Sequence, residues 1–157
     1  MAVEIERKFL VRSESFKQEA THSILIKQFY LPPSTEGETL RIRFVNNTAF
    51  LTRKGLSTPD GLARTEEEHP ISLKEAEQML QSPLIGSIEK MRYYVPFEGF
   101  TWEVDCFLGK LKGLIIAEVE LKSTTDTPPL PEWIGKEVTG DIRYYNAQLS
   151  IAQSVPE

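Results

Sequence analysis

Glu4, Glu6 and Lys8 stand two residues apart near the start of the chain, and in an extended strand side chains two apart share one face. Two carboxylates and an ammonium then project together, opposite Val3, Ile5 and Phe9. The spacing recurs at Arg41 and Arg43, Glu66 and Glu68, Lys90 and Arg92, Glu103 and Asp105, and Glu118 and Glu120. Hard carboxylate oxygens suit Mg2+ or Mn2+, whereas guanidinium forks and ammonium groups suit phosphate oxygens. Doublets of both kinds predict a ligand composed of a polyanion and a divalent cation.

The signs of the doublets sharpen that expectation. An exposed antiparallel face normally intermixes Lys and Glu so that neighbours pair, but here like charges sit together. Side chains at i and i+2 lie about 6.5 to 7 Å apart, and at an effective dielectric near 20 two like charges repel by about 2.5 kcal/mol at that distance. Such repulsion predicts a ligand that relieves it. The plainer alternative is a one-sided sheet whose charged face is solvated. If the charged faces converge in a lumen instead, strand phase adds Lys54 and Lys122, giving eight acids against seven bases.

Length and composition bound the reading. A chain of 157 residues fits one domain over 1–157. The net charge of -5 argues against a nucleic-acid-coating protein. Cys106 is the single cysteine, so no intrachain disulfide forms, and no long apolar run marks a signal peptide or membrane span. The cytoplasm is the expected compartment. With one Cys and two separated histidines, His22 and His69, a Cys/His zinc site is not expected.

Periodicity supplies the elements that must position the doublets. Residues 3–12 alternate as a strand, and 13–20 fit a short helix capped by Ser13 or Ser15. Further strands are expected over 24–31, over a hairpin of 39–46 and 49–54 turning at Asn46-Asn47, and over 62–71, with a mobile connection at 55–61. Ser72-Leu73-Lys74-Glu75 is a capping box opening a helix to about Gln81, soon stopped by Pro83. Strands over 87–97, 100–108 and 114–122 and a C-terminal helix over 141–153 complete the expectation. Many strands with helices kept apart define an α+β chain built on an antiparallel sheet.

The ordered series Glu4-x-Glu6-x-Lys8, Arg41-x-Arg43, Lys54, Glu66-x-Glu68, Lys90-x-Arg92, Glu103-x-Asp105, Glu118-x-Glu120 and Arg143-Tyr144-x-Asn146 runs over nearly the whole chain. It resembles the CYTH superfamily, also called triphosphate tunnel metalloenzymes. The resemblance implies a closed eight-stranded antiparallel β-barrel with a few peripheral helices, whose tunnel binds triphosphates with divalent cations. By length, and by Phe29-Tyr30-Leu31 and Trp133-Ile134-Gly135, the chain looks most like short bacterial members, several of which hydrolyse inorganic triphosphate.

Carried over residue by residue, the resemblance makes Glu4, Glu6, Glu118 and Glu120 metal ligands. Glu66, Glu68 and Asp105 become candidates for a second metal or for orienting water. Lys8, Arg41, Arg43, Lys54, Lys90, Arg92 and Arg143 become phosphate ligands, and Tyr30 cooperates with Lys8 in activating water. The implied cofactor is Mg2+ or Mn2+, and the implied partner is a small-molecule triphosphate, with no stable nucleic-acid binding and no membrane. A homodimer is compatible with the family, and no patch in the sequence decides it.

Several residues carry plainer readings. Cys106 falls in the apolar phase and reads as a small buried hydrophobe. One of Glu103 and Asp105 is expected to hold a neighbouring arginine, Lys122 reads as a solvated strand end, and Trp102, Trp133, Phe97 and Phe100 read as packing residues. The leading expectation is hydrolysis of inorganic triphosphate to diphosphate and phosphate. An adenylate cyclase of the same superfamily would use nearly the same residues. Thiamine triphosphate and RNA 5′-triphosphate are further substrates to weigh, and a non-catalytic polyphosphate or nucleotide binder is the competing class.

Overall fold

The structure, a computed structural model, describes residues 2–156. Its strands are β1 (Ala2–Val11), β2 (His22–Leu31), β3 (Thr39–Val45), β4 (Thr48–Ser57), β5 (Ala63–Ile71), β6 (Gly86–Phe97), β7 (Phe100–Phe107), β8 (Ile115–Glu120) and β9 (Ile134–Glu137). The short helices are α1 (Phe16–Glu19), α2 (Leu73–Met79) and α3 (Asn146–Leu149).

Antiparallel pairing runs β5-β4-β3-β2-β6-β7-β8-β1, and β1 closes the ring by pairing β5 through Ala2–Ile5 as well as β8 through Glu6–Leu10. The result is the expected eight-stranded barrel. The ninth strand, β9, had no counterpart in the sequence reading; it lies outside, along β1 at Phe9 and Val11. At four residues it is too short to show periodicity.

One phase of each strand faces the lumen and the other faces the outer cores. Under α1 and the segment leading to β9, Phe9, Phe16, Trp102, Val104, Val119 and Trp133 pack into one cluster. Both tryptophans and Phe16 are fully buried, so truncating one to alanine costs about 3 to 5 kcal/mol. Cys106 packs against the same cluster. Under α2, Leu31, Ile42, Ala49 and Ala76 form a second cluster. The capping box that starts α2 is intact: Glu75 N–H donates to Ser72 Oγ at 3.0 Å, and Ser72 N–H donates to Glu75 Oε1 at 3.4 Å.

Two expectations are corrected. The first three residues of the connection over 55–61 are strand, since β4 continues through Gly55 to Ser57 with a register shift after Lys54, and the turn proper is confined to 58–61. A Cβ on Gly55 would lie 2.4 Å from Thr65 Oγ1, so the glycine permits a close strand approach rather than mobility. The C-terminal helix is broken into a 3-10 turn at Ile142–Tyr144 and α3, because Tyr145 between them is extended at φ -71°, ψ 136°. That break sends Tyr144 into an apolar cluster and lets Tyr145 line the lumen.

Candidate active site

The lumen encloses a cavity of about 170 Å³ with six carboxylates in its wall, Glu4, Glu6, Glu66, Glu68, Glu103 and Glu118, and six cations, Lys8, Arg41, Arg43, Lys54, Arg64 and Arg92. Strand order segregates them. The adjacent strands β7, β8, β1 and β5 carry all the acids, and β4, β3 and β6 carry the cations other than Lys8 and Arg64, with β2 between β3 and β6 contributing Tyr30. An acidic wall therefore faces a basic one.

Two seams join the walls. At β6–β7, Arg92 donates to both oxygens of Asp105 at 2.7 and 2.9 Å and to Glu103 at 2.9 Å, while Lys90 meets Asp105 at 2.7 Å. At β4–β5, Lys54 donates to Glu4 at 2.9 and 3.2 Å and lies 3.4 Å from Glu66, and Arg41 lies 3.3 Å from Glu68. Part of the like-charge repulsion expected from the sequence is thus relieved by opposite charges on neighbouring strands.

The remaining imbalance lies within each wall. Burial, reinforced by Glu118 and Glu4, pushes the Glu6 carboxyl well up, whereas Glu118, though buried, is held well below its ordinary value by Lys8 and by a hydrogen bond from Glu6. Burial and a hydrogen bond with Glu4 likewise raise Glu66. On the opposite wall, burial together with Arg41 and Arg92 lowers Arg43 to about 10. Arg41 Nε is buried without a partner. A polyanion against the basic wall and a cation between acids would answer both strains.

Among the described residues, no three Asp, Glu, His or Cys side chains converge into a ready metal site. The acids stand instead as pairs, Glu6 with Glu118 and Glu4 with Glu66. That donor set fits Mg2+ or Mn2+, because such hard cations are commonly held by one or two carboxylates, with substrate phosphates and water completing the shell.

One end of the lumen is closed. Moving along the inward phase, the charged residues give way to Leu10, Tyr30, Ile88, Phe107 and Ile116, which pack with Leu111, Leu114, Tyr144 and Leu149. Nearby, the turn containing Gly61 touches the turn containing Gly140: a Cβ on Gly61 would lie 2.2 Å from Gly140 Cα, and its φ of +77° favours glycine independently. Tyr145 Oη lies 3.2 Å from Ser57 Oγ, and its ring is 5.4 Å from the Lys8 ammonium and 5.9 Å from the Arg64 guanidinium.

Of the residues singled out from the sequence, Glu4, Glu6, Glu66, Glu68, Glu118, Lys8, Tyr30, Arg41, Arg43, Lys54 and Arg92 line this cavity. Asp105 and Lys90 do not: both are buried behind its wall, where Asp105 serves as the shared acceptor for Arg92 and Lys90. Burial, Arg92 and Arg43 push Lys90 down to about 7 against the opposing pull of Asp105. Glu120, across from Glu6 and in phase with Glu118, is exposed in a separate hollow with Glu103, Tyr94, Phe100 and Lys122, and Arg143 is exposed beside Asp141 at 2.8 Å. Lys8 is raised rather than lowered, since Glu118 and Glu6 outweigh its burial.

The sequence reading missed Arg64, Gln28 and Thr52. Arg64 shares the phase of Glu66 and Glu68, and its Nε and Nη2 donate to Gly55 O and Thr39 Oγ1 at 3.0 and 3.2 Å. Gln28 and Thr52 are fully buried polar side chains. Phase could have found all three, but uncharged residues and a lone arginine gave no doublet.

The model of the CYTH domain matches residues 2–148. The chain belongs to the CYTH family. It is 44% identical over 153 residues to an inorganic triphosphatase of Acetivibrio thermocellus, covering 95% of this chain and 94% of that one. It is 35% identical to an inorganic triphosphatase of Nitrosomonas europaea over 95% of this chain and 97% of the relative. The solved structure of the inorganic triphosphatase NE1496 superposes with a TM-score of 0.68 at 32% identity, covering 98% of each chain. The CYTH barrel is therefore the fold that the resemblance implied.

Proposed function

We propose that this CYTH protein hydrolyses inorganic triphosphate to diphosphate and phosphate with the help of Mg2+ or Mn2+. The observation that carries the reading is the lumen's division into an acidic and a basic wall, closed at one end. Relatives named inorganic triphosphatases, matched over almost their whole length, support the same substrate.

In this reading Arg41, Arg43, Arg92, Lys54 and protonated Lys8 bind the phosphate chain, and the unpartnered Arg41 Nε gains an acceptor. Glu4, Glu6, Glu66 and Glu118 are the acids that hold the cation, and Glu68 remains with Arg41 and Thr52 Oγ1. When bound, the cation would neutralise phosphoryl charge and help align the attacking oxygen. Tyr30 presents its hydroxyl at the closed end, beside Lys8 and Arg43. Asp105 and Lys90 hold the basic wall in place from behind.

Among the described residues no helix is long and apolar enough to cross a membrane. The cytoplasm is the compartment proposed, consistent with a single cysteine.

Phosphate release from inorganic triphosphate, ATP and thiamine triphosphate, with Mg2+, with Mn2+ and with a chelator, tests the reading beside an assay for cyclic AMP. The expected result is fastest turnover of inorganic triphosphate, lost with the chelator. Faster turnover of a nucleotide, formation of cyclic AMP, or tight triphosphate binding without turnover would replace it with a competing function.

A further inference from the structure

Gln28 is fully buried on β2, directly across from Arg43 on β3, and shares the lumen-facing phase with Tyr30 two residues on. Arg43 Nε donates to Gln28 Oε1 at 2.9 Å, and Gln28 Nε2 lies 2.9 Å from Tyr30 Oη. An arginine can only donate, so the Gln28 oxygen must face Arg43 and its NH2 must face the phenol. An amide NH2 also only donates. Tyr30 Oη is therefore the acceptor in that bond, and its own hydrogen has to point elsewhere. Among the described residues the hydroxyl makes no second hydrogen bond, and Tyr30 lines the lumen.

We propose that Gln28 is a positioning residue that couples Arg43 to Tyr30 and fixes the phenol as a hydrogen-bond donor into the lumen, aimed at a phosphoryl oxygen of the substrate. The assignment rests on the triphosphatase reading for the identity of that acceptor. The hydroxyl hydrogen so directed stabilises phosphoryl charge. The charged groups facing it, Lys8 and Arg43, are cations that hold the same phosphate chain. One amide thus sets both the tilt of an arginine and the direction of a hydroxyl, a role no charged side chain could fill without adding its own charge to the basic wall.

The experiment uses Gln28→Glu, Tyr30→Phe and the double variant, assayed with inorganic triphosphate and Mg2+. A carboxylate at this position still accepts from Arg43 but has no hydrogen to give, so the phenol turns its proton toward it and away from the lumen. Gln28→Glu and Tyr30→Phe are each expected to lower kcat by roughly ten- to a hundredfold, the range for losing a hydrogen bond to a charged group. KM should change less than about twofold in Gln28→Glu because Arg43 stays anchored, and the double variant should fall no further than Tyr30→Phe alone. Gln28→Met, which adds no charge, should match the loss in kcat and also raise KM by releasing Arg43; it serves as well if Gln28→Glu folds poorly.

A second readout is independent of turnover. In ring-13C-tyrosine NMR of the ligand-free protein, the Tyr30 signal, identified by its loss in Tyr30→Phe, should shift in both Gln28 variants. An unshifted signal overturns the assignment. So do multiplying effects in the double variant, or a wild-type kcat in Gln28→Glu or Tyr30→Phe. Failure of the wild type to hydrolyse inorganic triphosphate would instead sink the proposed function, leaving the NMR result to decide the hydrogen bond alone.

Discussion

The two seams between the acidic and basic walls are built to different degrees of closure. At β6–β7, the Lys90 and Asp105 side chains are 0% and 1% exposed, and Asp105 accepts from a bidentate arginine and an ammonium together. At β4–β5, Lys54, Glu4 and Glu66 are 14%, 16% and 25% exposed, and one ammonium serves two acids. A buried, saturated ion pair is costly to break and offers nothing to a ligand, whereas a partly solvated one exchanges partners at little cost. The Lys90–Asp105 pair is therefore scaffold, from which Arg92 reaches the lumen, and the second seam is a part of the wall that can exchange its partners for a phosphate chain and its cation.

The largest effect should come from the closed seam. Asp105→Ala leaves Arg92 and Lys90 buried without their shared acceptor, and is expected to cost about 3 to 5 kcal/mol in urea or thermal unfolding; a variant as stable as the parent would end the distinction between the seams. Glu118→Gln, on the lumen side, should lower the cation-dependent rate by on the order of a hundredfold, since removing a cation ligand loses part of a several-kcal/mol stabilisation, and should cost less in unfolding than Asp105→Ala because Lys8 keeps the Tyr144 carbonyl as an acceptor. Full activity there would remove the cation from the acidic wall.

Smaller effects sharpen the contrast. Glu6→Gln removes one member of a strained acid pair and should raise the ligand-free melting temperature by about 2 to 4 °C, the shift expected for about 1 kcal/mol in a chain of this size. A fall would mean the pair is a net stabiliser. Arg143→Ala, at an exposed position beside Asp141, should change kcat/KM by less than about twofold. A larger loss would return Arg143 to the substrate site that its place in the sequence motif implied.

Much of the lumen was legible because strand geometry maps i, i+2 spacing onto one face without regard to what surrounds it. Glu4, Glu6 and Lys8, Arg41 and Arg43, and Glu66 and Glu68 share a cavity wall for that reason alone. The same rule leaves depth open at Asp105 and Glu120. Phase fixes the face of a side chain but not its depth along the barrel, so one acid is buried with Arg92 and Lys90 as its partners and the other, across from Glu6, is exposed. Arg64 and Gln28 were readable in principle, yet nothing in one dimension distinguishes a buried amide clamped between Arg43 and Tyr30 from an ordinary strand glutamine.

The order of residue types along the chain was enough to specify strands with a charged face and an apolar face, the capping box of α2, and the chemistry of a cation and a phosphate chain. Those follow from local backbone periodicity and side-chain functional groups. The pairing of β1 with β5 that closes the ring, the grouping of acidic strands on one side, the stopped end and the Gln28 bridge were settled by the folded chain. Each depends on contacts between residues distant in sequence, where register and depth, rather than spacing, decide which groups meet.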